Sequence, residues 1–394
     1  MAAHKYHKFG LKGLLFVLLL ILMFTMIFKN VTRHQGKSQK EVKVGKNMDR
    51  WQESFMKQIR QEIEITPIIE NMERVQISWQ RTKKAEKGLV ILLHGCSHDG
   101  THWFSLPEER RIVRVLLHHG LSVIAFTSQD TNSGCWDGSS IGQSNRDIQR
   151  VTPTLQKFCE REYSEYYTQE TLSMCPPLFS IGASSGGSFS SILSRALPIV
   201  ANIVQISTGD YKALLTEPKS LKPQRVSSFD PKILESEENI YPVPPTAFLY
   251  MVNDHNWASE SVIGHVVQKI IASANKLGPN LHRQNAVIMF EAAMLPITKM
   301  WLKDRVDNVS KETSEQFYHE CVTEGFIDGD GLLKEDPRSS TASRVLLRNA
   351  IYEKEISRGA LEEQLNVAYA HHELTSEHIY QITTWMLEML ESKP

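Results

Sequence analysis

With 44 basic and 45 acidic residues, the sequence has no charge excess of either sign. A surface built to hold a phosphate backbone is therefore excluded, and no nucleic-acid partner is expected. Five cysteines are too few for a disulfide scaffold and leave one unpaired. Cys159, Cys175 and Cys321 lack metal-ligand spacing, no internal repeat is present, and no metal or cofactor is called for. What the chain does have is 394 residues, 41% hydrophobic and 23% charged. That is enough for one large or two ordinary globular domains, and disorder is not the default.

One long apolar run stands at the N-terminus, LLFVLLLILMFTMIF over 14–28. Its length suits a single crossing of a bilayer about 30 Å thick. No small-x-small cleavage site follows it, so an uncleaved signal anchor is expected in place of a removed signal peptide. Residues 1–13 then form a short tail and 29–50 a solvated stem. The lysine and arginine count leans against a lumenal body, with Lys5, Lys8 and Lys12 before the run and Lys29, Arg33, Lys37, Lys40, Lys43 and Lys46 after it. Asn308, Val309 and Ser310 form a glycosylation sequon that matters only in a lumen. On that ground a type II arrangement with a lumenal body in the secretory pathway is favoured, a cytosol-facing body being the alternative.

Residues 51–394 read as one body. Arg50 to Glu70 mixes apolar and charged residues at helical spacing, and Val75, Ile77 and Trp79 alternate with polar neighbours as an early strand. GLVILL (88–93) and LSVIAF (121–126) are apolar throughout, as strands buried on both faces are. Between them Pro107 opens a helix that Gly120 closes. The strand–helix–strand order repeats through 144–162 (helical, with a break near Pro153), 178–181, 187–197, 199–206, 246–252, 259–275 and 286–290. It predicts an α/β fold: a mostly parallel, doubly wound sheet with helices on both faces. Residues 291–360 show helical patterns only and are expected to be an insert over the sheet, available as a lid. Residues 375–390 form a closing amphipathic helix. Asp328 and Asp330 in IDGDGLLKEDP hint at a calcium loop, but the later ligand positions do not fit and a turn is expected.

The chemistry centres on 178–193. A short apolar strand meets GASSGG (182–187), and a small-residue helix follows. Gly182, Ser184 and Gly186 fit GxSxG, a turn tight enough to lift one hydroxyl out of a sheet. Ser184 is the candidate nucleophile, with Ser185 its rival. Acyl transfer also needs a base, a carboxylate to orient it and donors for an oxyanion. In a doubly wound sheet these belong just after the strands. Asp254, in MVNDHNW, follows the 246–252 strand and is the candidate acid; Asp210, one strand earlier, is the alternative. NVAYAHHELTS (366–376) offers His371 and His372, and His372 is chosen as base over His371 and over His255. The turn after the 88–93 strand supplies the amide of Cys96, which is expected to pair with the amide of Ser185 as the oxyanion hole.

Taken together, HGCSHDGTHWF, LPEE, GCWD, GASSGG, the Asp254 loop and NVAYAHHELTS resemble the α/β-hydrolase superfamily. More narrowly they resemble a branch found in plants and protists. The resemblance covers roughly residues 75–392. It implies Ser184 as nucleophile, His372 as base and Asp254 as acid, in a membrane-anchored serine hydrolase acting on an ester or amide of a small or lipid-like acyl group. A fold-retaining binding protein and an acyltransferase using the same triad are the alternatives. Cys96 and Cys135 both follow neighbouring strands, either as a disulfide rimming the site or as two buried thiols.

Overall fold

The structure, a computed structural model, describes residues 46–141, 144–164, 175–215, 241–276, 287–346 and 352–391. The 14–28 run lies outside these residues; among the described residues no helix is long and apolar enough to cross a membrane. The chain divides into two units, Met1–Gln52 and Glu53–Pro394. Of the first, only residues 46–52 at the start of α1 (Lys46–Glu62) are described.

The second unit carries an eight-stranded sheet in the order β1-β2-β4-β3-β5-β6-β7-β8. The strands are β1 (Ile68–Met72), β2 (Val75–Gln80), β3 (Gly88–Leu93), β4 (Leu121–Phe126), β5 (Leu178–Ala183), β6 (Ile199–Gln205), β7 (Thr246–Met251) and β8 (Val287–Ala292). From β4 to β8 all neighbours pair in parallel; β1 and β2 form an antiparallel hairpin on the β4 edge. The helical reading of 50–70 therefore runs too far. The chain leaves α1 at Glu62 and returns as β1, turning into β2 through Glu73 and Arg74, both with positive φ. Such a turn normally advertises itself by Asn-Gly or Asp-Gly, and here it does not.

Alternation along the central strands divides the core. Val90 and Leu92 of β3 pack on one face with α3 (Pro107–His118) and the closing helix α12 (Ile379–Glu391), among Ile112, Leu116, Ile382 and Met386. Leu89, Ile91 and Leu93 face the other way, onto α4 (Arg146–Glu162) and α5 (Ser185–Ala196), among Phe158, Phe189 and Ile192. The remaining helices of the sheet are the short α2 (His102–Ser105), α6 (Tyr211–Leu215) and α7 (Glu260–Lys276). Helix α4 does not break at Pro153. Pro153 and Gln149, four residues before it, face solvent, so the bond that proline deletes is lost where water is at hand.

The insert comprises α8 (Trp301–Arg305), α9 (Lys311–Thr323), α10 (Thr341–Leu346), a 3-10 turn (Tyr352–Lys354) and α11 (Arg358–Tyr369). It has its own core around Trp301, Phe317, Tyr352 and Leu361. Asp328 sits in a turn, where Oδ1 takes the amides of Asp330 and Leu332. The insert joins the sheet through buried charge. Glu363 of α11 accepts from the Glu108 amide at the start of α3, 3.1 Å away, and lies against Glu109, also buried. Burial raises both acids: Glu109 goes to about 7 although its hydrogen bond with Glu363 pulls the other way, and Glu363 is raised further by the Glu109 charge. His98, Glu108 and Glu373 are the other charged groups acting on the pair.

Acids raised by folding bind protons more tightly in the folded state, so this pair stabilises the fold below the ordinary glutamate pKa and that contribution is lost as pH rises through about 7. Glu109→Gln removes one titrating group and offers Glu363 a donor. Melting curves from pH 5 to 8 should show the wild type losing stability more steeply than the variant; parallel curves would contradict the buried pair.

Candidate active site

An eight-stranded sheet in this order, with a serine on an elbow between β5 and α5, is the α/β-hydrolase fold. Ser184 occupies the elbow at φ 52° and ψ −116°, a conformation that costs a non-glycine residue on the order of 1–3 kcal/mol and is held by its surroundings. Two glycines make it possible. A Cβ on Gly182 would lie 2.1 Å from the Gly186 carbonyl oxygen, and one on Gly186 would lie 2.4 Å from those of Leu93 and His94. Helix α5 thus sits hard against β3 and β5, and the Ser184 amide is tied to the Gln205 carbonyl of β6 at 3.0 Å.

His372 Nε2 is 3.0 Å from Ser184 Oγ, and its Nδ1 is 2.6 Å from Asp254 Oδ2. The carboxylate only accepts, so the Nδ1 side carries the proton and Nε2 is free to accept from the serine. Burial raises Asp254, but the hydrogen bond and charge of His372, with the amides of Trp257 and Ala258, bring it below the usual range. It stays ionised at neutral pH.

The alternatives lie elsewhere. Ser185 Oγ is buried without a partner among the described residues. Asp210 caps α6, its Oδ1 taking the Ala213 amide at 2.6 Å. His255 is exposed. His371 Nδ1 is buried without a partner among the described residues, and burial, then the Arg338 charge, lower its pKa.

The base loop is held from several sides. Ala370, at φ 55°, ends α11 in a left-handed turn that redirects the chain into His371 and His372. Asn253 clamps that turn, its amide donating to the Ala370 carbonyl at 3.0 Å and its Nδ2 to the Tyr369 carbonyl at 2.6 Å. The Asp254 loop and the His372 loop are therefore one unit. Arg338 of the insert donates to the His372 carbonyl, and beyond the histidine the Thr375 amide donates to Gln205 Oε1 at 3.2 Å.

Opposite, the turn after β3 approaches the serine so closely that a Cβ on Gly95 would stand 3.6 Å from Ser184 Cβ. Neither the Cys96 nor the Ser185 amide donates to an acceptor among the described residues. The turn is rigid. His98 Nδ1 donates to the Cys96 carbonyl at 2.9 Å, and Trp136 Nε1 to the His94 carbonyl at 2.9 Å. His94, which burial lowers to about 4, donates from Nδ1 to the Gly95 carbonyl and accepts the Ser128 amide on Nε2. Cys96 and Cys135 are joined as a disulfide, which fixes the turn to the loop after β4. A second disulfide, Cys159–Cys175, was not legible, because bridges 16 residues apart carry no sequence signature. Cys321 is free and buried, its thiol pushed by burial to about 12. Among the described residues no group of side chains has the makings of a metal site.

No family model matches the chain, and no curated protein matches it. Solved structures with some likeness include the acetyl xylan esterase of Aspergillus awamori, with 13% identity over 54% of this chain and 81% of that one, at a TM-score of 0.37. Another is an esterase of Pyrococcus furiosus, with 18% identity, 60% and 84% coverage and a TM-score of 0.35. A third is a soluble variant of monoglyceride lipase from Saccharomyces cerevisiae, with 12% identity, 59% and 86% coverage and a TM-score of 0.35. The strand order and the elbow define the fold without help from these distant likenesses.

Replacing Asp254 by Asn puts an amide donor beside Nδ1 and should move the neutral ring's proton to Nε2. Nitrogen-15 NMR of labelled histidine reads this directly: the tautomer of His372 should invert in Asp254→Asn. An unchanged tautomer would rule out the hydrogen bond as the orienting contact.

Proposed function

We propose that this chain is a serine hydrolase that cleaves an ester or amide of a small or lipid-like acyl group. The reading rests above all on His372, which lies between Ser184 Oγ at 3.0 Å and Asp254 Oδ2 at 2.6 Å. Ser184 Oγ attacks the carbonyl carbon as its proton passes to His372 Nε2. The oxygen of the tetrahedral adduct faces the amides of Cys96 and Ser185, each contributing about 3 kcal/mol to the transition state. Collapse breaks the bond to the leaving group, which takes the proton from His372. Water then attacks the acyl-serine with the same histidine as base, and Ser184 is regenerated with its proton. Asp254 keeps the imidazole in the productive tautomer and offsets the charge it acquires.

The body is placed on the lumenal side of a secretory-pathway membrane, anchored through 14–28. Two disulfides suit an oxidising compartment, and the sequon residue Asn308 is exposed.

Two experiments test these proposals. A fluorophosphonate probe applied to the full-length protein in detergent should label the wild type and neither Ser184→Ala nor His372→Ala. Turnover should fall about a millionfold for Ser184→Ala and about ten-thousandfold for Asp254→Asn, with circular dichroism unchanged. An unlabelled, well-folded wild type would favour a binding protein. Native protein from cells should lose mass on treatment with an N-glycosidase, and Asn308→Gln should not; a native protein without glycan at Asn308 would count against the lumenal placement.

A further inference from the structure

The loop that carries Asp254 continues to Trp257, the most exposed large apolar side chain among the described residues, at 70%. Its neighbours in sequence, His255 and Asn256, are also exposed. The Trp257 backbone is nevertheless fixed. Its amide donates to Asp254 Oδ1 at 3.1 Å, and its ring lies 6.3 Å from the His372 imidazole, centroid to centroid, inclined at 50°. An indole presented to water beside a catalytic imidazole leaves much apolar surface unburied, and burying it is favourable.

Which part of a substrate covers it follows from proton transfer. The acyl oxygen is directed to the Cys96 and Ser185 amides, on the β3 side of Ser184. The leaving oxygen must lie against His372 Nε2, because that atom returns the proton. Whatever hangs from the leaving oxygen therefore extends past the imidazole, toward Trp257 and away from the oxyanion turn. We infer that Trp257 is a specificity-determining residue that packs against the leaving group, and that the preferred substrates are esters of bulky apolar or aromatic alcohols. Selectivity at this wall acts on the alcohol and leaves acyl preference to other parts of the site. This rests on the hydrolase reading above.

Butyrate esters of benzyl alcohol and of methanol share an acyl group and have leaving alcohols of similar acidity, so their kcat/KM ratio reports the leaving-group site. Wild-type protein should favour the benzyl ester. In Trp257→Ala that ratio should fall about 10- to 100-fold, whereas Trp257→Phe should keep most of it. The ratio of benzyl hexanoate to benzyl butyrate should be the same in wild type and Trp257→Ala. A general loss of stability or of catalytic geometry lowers all rates together and leaves both ratios untouched; the backbone amide bonded to Asp254 survives either substitution. A benzyl-to-methyl ratio unchanged in Trp257→Ala, with a wild type that fluorophosphonate labels, would overturn the leaving-group assignment alone. A wild type that is neither labelled nor active would overturn the hydrolase reading and this inference with it.

Discussion

Glu108 has no exposed surface, and much of the site depends on how its charge is satisfied. Burial alone pushes its carboxyl up, but the Arg305 and Arg111 charges, Gln364 and the Ser376 amide outweigh it and bring it to about 2. Arg305 of α8 meets it through NH2, at 2.9 Å to each oxygen; Gln364 of α11 donates at 3.0 Å, and Ser376 donates through its amide at 2.8 Å and its hydroxyl at 2.7 Å. One carboxylate thus joins the start of α3, two helices of the insert and the loop four residues past His372. A buried ion pair of this kind is a poor source of net stability, yet losing one partner costs about 3–5 kcal/mol, because the other charge is left stranded. Its effect here is positional: the base loop has one place to go.

Ser184 is held by the opposite means. No charge fixes Ser184; backbone contact does, through glycines at 182 and 186 that let α5 press against β3 and β5. Rigid packing suits the serine, whose hydroxyl needs one fixed exit from the sheet. Hydrogen bonds hold His372 instead, through the loops on either side of it. Asn253 links these two regimes, carrying the rigid end of β7 to the left-handed turn at Ala370.

Much of this was legible in the sequence where side-chain chemistry and local geometry agree. GLVILL and LSVIAF can only be strands buried on both faces, and GASSGG combines a strand end with the small residues a close helix demands. The hairpin of β1 and β2 was not legible, since Glu73 and Arg74 adopt positive φ without the residues that favour it. Nor was Ala370, which reverses the chain before the histidines with a side chain that gives no hint of a left-handed cap. Choosing between His371 and His372 needs that reversal, because adjacent residues point apart and only the turn decides which one meets Ser184. Glu108 and Glu109 in LPEE pass in sequence for ordinary first-turn acids. Their burial against Arg305 and Glu363 is a tertiary fact some two hundred residues away, and no local pattern encodes it.

The same anchoring bears on how the insert can move. Its first helix meets Glu108 through Arg305, and its last meets it through Gln364, so both ends are tied to the sheet by buried polar groups. Swinging the insert from α8 to α11 as one piece would leave Glu108 buried without Arg305, at a cost of about 3–5 kcal/mol. It would also pull on the His372 carbonyl through Arg338. Motions of the insert that keep this anchoring are therefore local ones that leave Arg305 and Gln364 in place. A local shift that displaces Arg338 reaches the His372 loop directly, because its guanidinium holds the His372 carbonyl from 34 residues away in sequence.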